Sequence, residues 1–412
     1  MTSLFFIVRR SLRQHLLSTV ITVIAAGLAS GLVMSVFNVS EQSRSAFTGG
    51  DIGYDGVLGA KGSPLQHVLN TVYHMESSPG NIPYAMYQEM KETRGVKYAI
   101  PYAVGDNLYG YRIVGTTREI FDVFEYQTGK RFEFAKGGAF DDMSRSAVFG
   151  ATVASKLGLG VGDTFSPYHG FTFNPSQLHE EVYTVSGVLE PTNTPSDLVI
   201  WIPLEGIYRM EGHLLPDGTD GKDIGAVQIP DELKEVSAVM VKFHSPGVGM
   251  LLAPEINRGE EATFAWPIAD VMLSFLGKLA WITDILRYVA YLVVVVAGFG
   301  LLASVYNTMN ERRREFAVLR ALGAAKRTVF SAIVLEAATI AFLGSLLGYA
   351  LYAAVMIVSA AIIKEQTGVV LETLTYHPAL LWTPVGMVLV GAIAGVFPAL
   401  KAYSTDVART LA

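Results

Sequence analysis

The sequence predicts an α-helical membrane protein with four transmembrane helices plus a large extracytoplasmic mixed α/β domain. Three observations carry that prediction. Of the 412 residues, 51% are hydrophobic and only 17% charged, with a mean hydropathy of +0.37, an unusual balance for a soluble globular chain. Four runs are each long and apolar enough to cross a bilayer. Charge is also partitioned: residues 41–283 carry 18 Lys/Arg against 30 Asp/Glu, net −12, while the remainder carries 13 against 7, net +6. Two physically different environments share one chain.

Residues 1–15, with Arg9, Arg10 and Arg13, read as a short amphipathic helix leading into the first span. Residues 16–38 supply 23 positions without an acid or a base. The run exceeds a signal-peptide core and no A-x-A site follows, so an uncleaved anchor is expected. Further spans are expected at 284–308, whose apolar run is 288–308, and at 329–363 and 379–400; within these apolar runs Glu336 is the one acid or base. Lys and Arg are retained on the cytoplasmic side of a membrane. Arg9, Arg10 and Arg13 therefore place the N-terminus inside. Arg312, Arg313, Arg314, Arg320, Lys326 and Arg327 do the same for the 309–328 connection, and Lys401 and Arg409 for the tail at 401–412. Residues 39–283 and the short link at 364–378 then lie outside.

Three spans carry G-x-x-x-G: Gly27/Gly31, Gly344/Gly348 and Gly391/Gly395. Small residues at this spacing share one helix face and permit close backbone approach, so these faces are expected to pack on other helices. In the outer segment, 111–115, 147–150, Tyr183–Leu189 and Ala238–Phe243 are β-branched or aromatic runs bounded by turn residues, as strands are. Residues 82–93 and Ala151–Leu157 read as helices, and the Gly- and Asp-rich stretch 214–225 as a mobile loop.

The chemistry-bearing motifs are mostly missing. No G-x-x-x-x-G-K-[ST] is present to cradle a nucleotide, and no G-x-S-x-G elbow or H-E-x-x-H helix appears; His179-Glu180-Glu181-Val182-Tyr183 lacks the second histidine. A pI near 5.8 offers no charge excess for nucleic acid, and zero cysteines exclude thiolate chemistry. His67 and His74, seven apart, would share one face if both lay on a helix. His169, His179, His213 and His244 are scattered and read as surface or hydrogen-bonded residues, so no metal site is assigned. Gly59-Ala60-Lys61-Gly62-Ser63-Pro64 is either an anion-presenting turn or an ordinary loop.

The informative segment is Asn310-Glu311-Arg312-Arg313-Arg314-Glu315-Phe316-Ala317-Val318-Leu319-Arg320-Ala321-Leu322-Gly323-Ala324. On a helix, Phe316, Leu319 and Gly323 share one stripe while Arg312 and Arg320 flank another, with a glycine stop at the C-terminal end. Such an element either docks into a partner or lies on membrane lipid. Glu336 is expected to pair with Arg320, Lys326 or Arg327, with a role in coupling as the alternative.

This segment, followed by Leu335-Glu336-Ala337, Gly344-Ser345-Leu346-Leu347-Gly348 and Gly395-Val396-Phe397-Pro398-Ala399-Leu400-Lys401-Ala402, resembles the ABC-transporter permease family that includes MacB, LolC, LolE and FtsX. Arg9-Arg10-Ser11-Leu12-Arg13 resembles the family's N-terminal amphipathic helix. Val114-Gly115-Thr116, Val148-Phe149-Gly150, Leu157-Gly158, Gly162-Asp163 and Val185-Ser186-Gly187-Val188-Leu189 are similar to its periplasmic core domain.

The resemblance implies a stalked α/β head over residues 39–283 and a non-catalytic permease in a bacterial inner membrane. It implies mechanotransmission driven by two copies of a separate ABC ATPase that bind the ATP and Mg, since no nucleotide-binding motif is present. Glu311, Arg312, Arg313, Arg314, Glu315, Phe316, Leu319, Arg320, Leu322 and Gly323 would couple to that ATPase. Further expected partners are a second permease copy or a paralogue, and a periplasmic or outer-membrane protein. The substrate class implied is a lipoprotein, peptide or other envelope molecule. An FtsX-like regulator of an envelope hydrolase and a metal-handling permease are the alternatives.

Overall fold

The computed structural model describes residues 2–48, 52–169, 179–210, 229–371 and 376–403. The chain divides into a helical unit (Met1–Ser43, Leu279–Ala361 and Glu372–Ala412) and an α/β unit (Arg44–Lys278 and Ile362–Leu371).

Among the described residues of the helical unit, four helices are long and apolar enough to cross a membrane. They are Leu16–Thr48, Ala280–Glu311, Lys326–Thr367 and Ala379–Tyr403, hereafter the first to fourth spans. Each overruns the apolar run that marks it, because hydropathy reports where lipid contact ends whereas backbone hydrogen bonding carries a helix on into polar sequence. A 13-residue helix, Thr2–Gln14, precedes the first span, and a 9-residue helix, Arg313–Ala321, connects the second to the third. The bundle core gathers Leu301, Val305 and Met309 of the second span, Phe316 of the connector, Ile333 and Ile340 of the third, and Ala394 and Ala399 of the fourth.

Among the described residues, the α/β unit is built on an eleven-stranded mixed sheet. Nine strands follow one path: Ala262–Ala265, Gly56–Ala60, Ala238–Phe243, Val96–Leu108, Tyr111–Thr116, Val199–Pro203, Ser146–Phe149, Tyr183–Leu189 and Phe134–Gly137. Most pairings are antiparallel; Tyr111–Thr116 with Val199–Pro203 and Ser146–Phe149 with Tyr183–Leu189 are parallel. Successive side chains point to opposite faces, and here both faces are covered. Ile113, Ile200, Ile202, Val239 and Val241 enter one core, and Val114, Val199, Trp201, Ala238 and Met240 the other. Continuous apolar runs such as Val199–Pro203 are what burial on two faces requires.

The strands expected at 111–115, 147–150, Tyr183–Leu189 and Ala238–Phe243 are present, as is the helix Ala151–Leu157. The helix expected from 82 begins at Tyr84, because Ile82–Pro83 pairs as a short strand with Glu235–Val236. The stretch 214–225 lies outside the described residues.

Candidate functional site

The Arg-rich end of the helical unit is organised around a buried polar cluster. Ser11 Oγ donates to Glu336 Oε1 at 2.6 Å and accepts from Arg312 Nη1 at 2.5 Å, and Arg312 Nη1 stands 3.6 Å from Glu336 Oε2. All three side chains are buried. Arg312 also reaches Glu315 Oε2 at 3.1 Å and lies over the Phe316 ring at 5.0 Å. Glu315 Oε1 accepts from Gln14 Nε2 at 3.5 Å, and His15 Nδ1 is 3.3 Å from Glu311 Oε2. The partners expected for Glu336 were Arg320, Lys326 or Arg327. The helix turn instead brings Arg312 inward, and the N-terminal helix supplies Ser11, which sequence reasoning missed because it lies 325 positions away.

The same geometry sorts the connector residues. Phe316, only 7% exposed, belongs to the bundle core, and Leu319 packs against it. Their stripe, expected to meet an ATPase, is turned into the protein's own helices, and Arg312 is held by Glu336. What the connector presents outward is a different face: Arg314 and Val318 are exposed, as are Arg313 at the start of the helix and Leu322 just past its end, Leu322 by 81%. Gly323 ends the helix with φ +99°, a left-handed conformation that glycine adopts without steric cost. Its N–H reaches Arg320 O at 3.0 Å, and that of Ala324 reaches Leu319 O at 3.0 Å.

The structure brings the first two of the three glycine pairs together. Gly27 and Gly31 face Gly344 and Gly348 across the first and third spans: a Cβ on Gly27 would lie 3.1 Å from Gly344 O, and one on Gly31 2.9 Å from Gly348 O. Gly391 and Gly395 of the fourth span abut Ala337 and Ala341 of the third, where a Cβ on Gly391 would stand 2.9 Å from Ala337 O. Polar contacts supplement this packing, with Ser18 and Thr22 each 2.9 Å from Ser304 Oγ and Asn38 hydrogen-bonded to Tyr352.

In the α/β unit, His67 and His74 do not share a helix face. The helix Pro64–Thr71 stops before His74, whose φ is +56°. Buried His67 contacts Ala60 O through Nε2 at 2.7 Å, and burial lowers its pKa. His74 stands edge-on to Trp201 at 6.2 Å. Burial, with the Arg112 charge added, lowers its pKa to about 3. Gly59 and Ala60 are strand residues, and Lys61 Nζ donates to Asn257 O at 3.1 Å and Gly259 O at 2.5 Å. The lysine thus ties down a neighbouring helix end. His244 is exposed, and His213 lies outside the described residues.

The MacB-like periplasmic core domain family matches residues 19–245, and the FtsX-like permease C-terminal family matches residues 287–407. The macrolide export ATP-binding/permease protein MacB of Nitrobacter winogradskyi is 24% identical over 283 residues, 68% of this chain and 41% of that protein. MacB of Bdellovibrio bacteriovorus is 23% identical over 265 residues, 62% of this chain and 37% of that protein. The ABC transporter permease YtrF of Bacillus subtilis is 28% identical over 137 residues, 31% of either chain. The chain spans less than half the length of each of these relatives. The crystal structure of the periplasmic region of MacB from Actinobacillus actinomycetemcomitans covers 55% of this chain and 94% of its own, at 11% identity and a TM-score of 0.33.

Proposed function

Because the chain belongs to the MacB/FtsX-type ABC permeases, matching their core domain over 19–245 and their C-terminal region over 287–407, we propose that it is the permease subunit of an ABC transporter working by mechanotransmission. ATP and Mg are bound by two copies of an ABC ATPase outside these 412 residues, and their closure is passed through the spans to the α/β unit. The permease acts as two copies, or as one with a paralogue, in a bacterial inner membrane with both termini cytoplasmic. Its substrate is a lipoprotein, peptide or other envelope molecule, presented to or received from a periplasmic or outer-membrane partner.

The observation that carries this reading is the connector Arg313–Ala321. Its inner face is locked into the bundle by Phe316, and the adjoining Arg312 is tied to Glu336 and Ser11. Its outer face offers Arg314 and Val318, with exposed Leu322 just past its C-terminal end. An element packed rigidly on one side and open on the other can transmit a push. Copurification from native membranes in mild detergent, followed by native mass measurement, tests the proposal. An ABC ATPase whose hydrolysis depends on the permease is expected; a lone chain without an ATPase would contradict it.

A further inference from the structure

His169 and His179, scattered in sequence, meet over one carboxylate. Asp106 Oδ1 lies 2.8 Å from His169 Nδ1 and 3.3 Å from His179 Nε2, and the two imidazole rings stand edge to face with centroids 4.3 Å apart. One donor atom from each of the three residues lies within 4.8 Å of the other two. Backbone pairing sets the geometry. The short strand Tyr168–His169 pairs with Val96–Leu108 so that His169 opposes Asp106. On its other edge Val96–Leu108 pairs with Tyr111–Thr116, and that ladder shifts register between Val104 and Asn107, the kind of irregularity that re-aims a side chain. His179 is placed by its N–H, which donates to Pro167 O at 2.9 Å.

We propose that Asp106, His169 and His179 form a binding site for a divalent transition-metal ion of the zinc class in the α/β unit. Two imidazoles and a carboxylate are the donor set that borderline-soft divalent cations favour over magnesium or calcium. On a tetrahedron with bonds of about 2.0–2.1 Å, neighbouring ligand atoms stand roughly 3.3 Å apart; the Asp106 Oδ1 to His179 Nε2 separation of 3.3 Å is that edge, and the 2.8 Å to His169 Nδ1 is shorter and must open for an ion to enter. The Asp106 side chain is fully buried and that of His179 is 4% exposed, whereas His169 is 40% exposed. The site is therefore walled on one side and reachable on the other. Three protein ligands leave a fourth position for water or an exchanging ligand. Glu181 Oε2 stands 4.0 Å from His179 Nδ1, the ring nitrogen left over when Nε2 binds metal. At that distance the carboxylate is not a hydrogen-bond partner of the ring; its negative charge favours a cation bound at Nε2. This inference does not depend on the transport reading.

The test uses the purified full-length chain, stripped with chelator and titrated with Zn²⁺ against a chromophoric competitor. One equivalent per chain is expected, weakened at least about tenfold in His169→Gln, His179→Gln and Asp106→Asn and to a smaller degree in Glu181→Gln, and unchanged in His244→Gln. His169→Gln is the decisive variant, since its half-exposed side chain can be replaced without opening the core; its metal-free unfolding midpoint should match that of the parent. Co²⁺ should give visible ligand-field absorption that the same variant loses. Absence of zinc binding by the parent, or equal affinity and stoichiometry in all three ligand variants, would overturn the assignment.

Discussion

Arg312 and Glu336 form a buried ion pair across the second-to-third span junction, and Ser11 of the N-terminal helix bridges it. Two charges taken out of water are tolerated together and costly apart. Arg312→Ala should therefore strand the Glu336 carboxylate and destabilise the bundle by on the order of 3–5 kcal/mol, while Arg312→Met combined with Glu336→Gln should recover most of the loss. Thermal unfolding midpoints in one detergent give the ranking. Equal midpoints for the single and double variants would show that the pair is not coupled.

The glycine seam gives a second expectation. A Cβ on Gly348 would lie 2.7 Å from Ser30 Oγ and 3.0 Å from Gly31 N, so Gly348→Leu must push the first and third spans apart. Overpacking of this kind costs roughly 1–3 kcal/mol. Gly386→Leu on the fourth span should be nearly silent, because nothing lies within 4 Å of a Cβ there. Similar losses in the two variants would argue against close packing at the seam.

Much of the helical unit was legible because long charge-free runs and the basic residues beside them follow from bilayer thickness alone. The sheet was legible only in part. Val96–Leu108 escaped because Pro101 and Gly105 interrupt it, and both residues argue against an interior strand; Pro101 nonetheless pairs opposite Val239. Periodicity shows that the connector is amphipathic, but the choice of which stripe faces inward depends on Leu301, Val305 and Ile333 elsewhere in the chain. Asp106 and His179 lie 73 residues apart, one on a strand and the other outside any helix or strand, so no local spacing marks them as neighbours.

Membrane topology is directly testable because the chain has no cysteine. Single cysteines at Ser63 and Ala325, both exposed positions, should behave oppositely toward an impermeant thiol reagent in intact cells. Ser63→Cys should label, and Ala325→Cys should label only after permeabilisation. Labelling of Ala325→Cys from outside would reverse the orientation.

His74 gives a pH expectation with a definite sign. Its folded pKa of about 3 lies below the ordinary value of 6.5, through burial first and the Arg112 charge second. The unfolded chain therefore binds the extra proton across that interval, and stability falls as pH drops from about 6.5 toward 3. His74→Gln should flatten this dependence by on the order of a few kcal/mol at the acid end. Parallel stability curves for parent and variant between pH 7 and 4 would contradict the assignment.

The central claim is that the outer face of the connector takes the push of an ATPase. Leu322→Asp and Val318→Asp place a carboxylate on that face, where burial against a partner would cost several kcal/mol. Phe316→Asp instead injures the bundle core. The decisive measurement is ATPase retention on the purified permease, read beside the permease's own unfolding midpoint. Leu322→Asp and Val318→Asp should lose the ATPase with the midpoint unchanged, and Phe316→Asp should lower the midpoint. Full ATPase retention by both outer-face variants would mean that this helix does not carry the coupling.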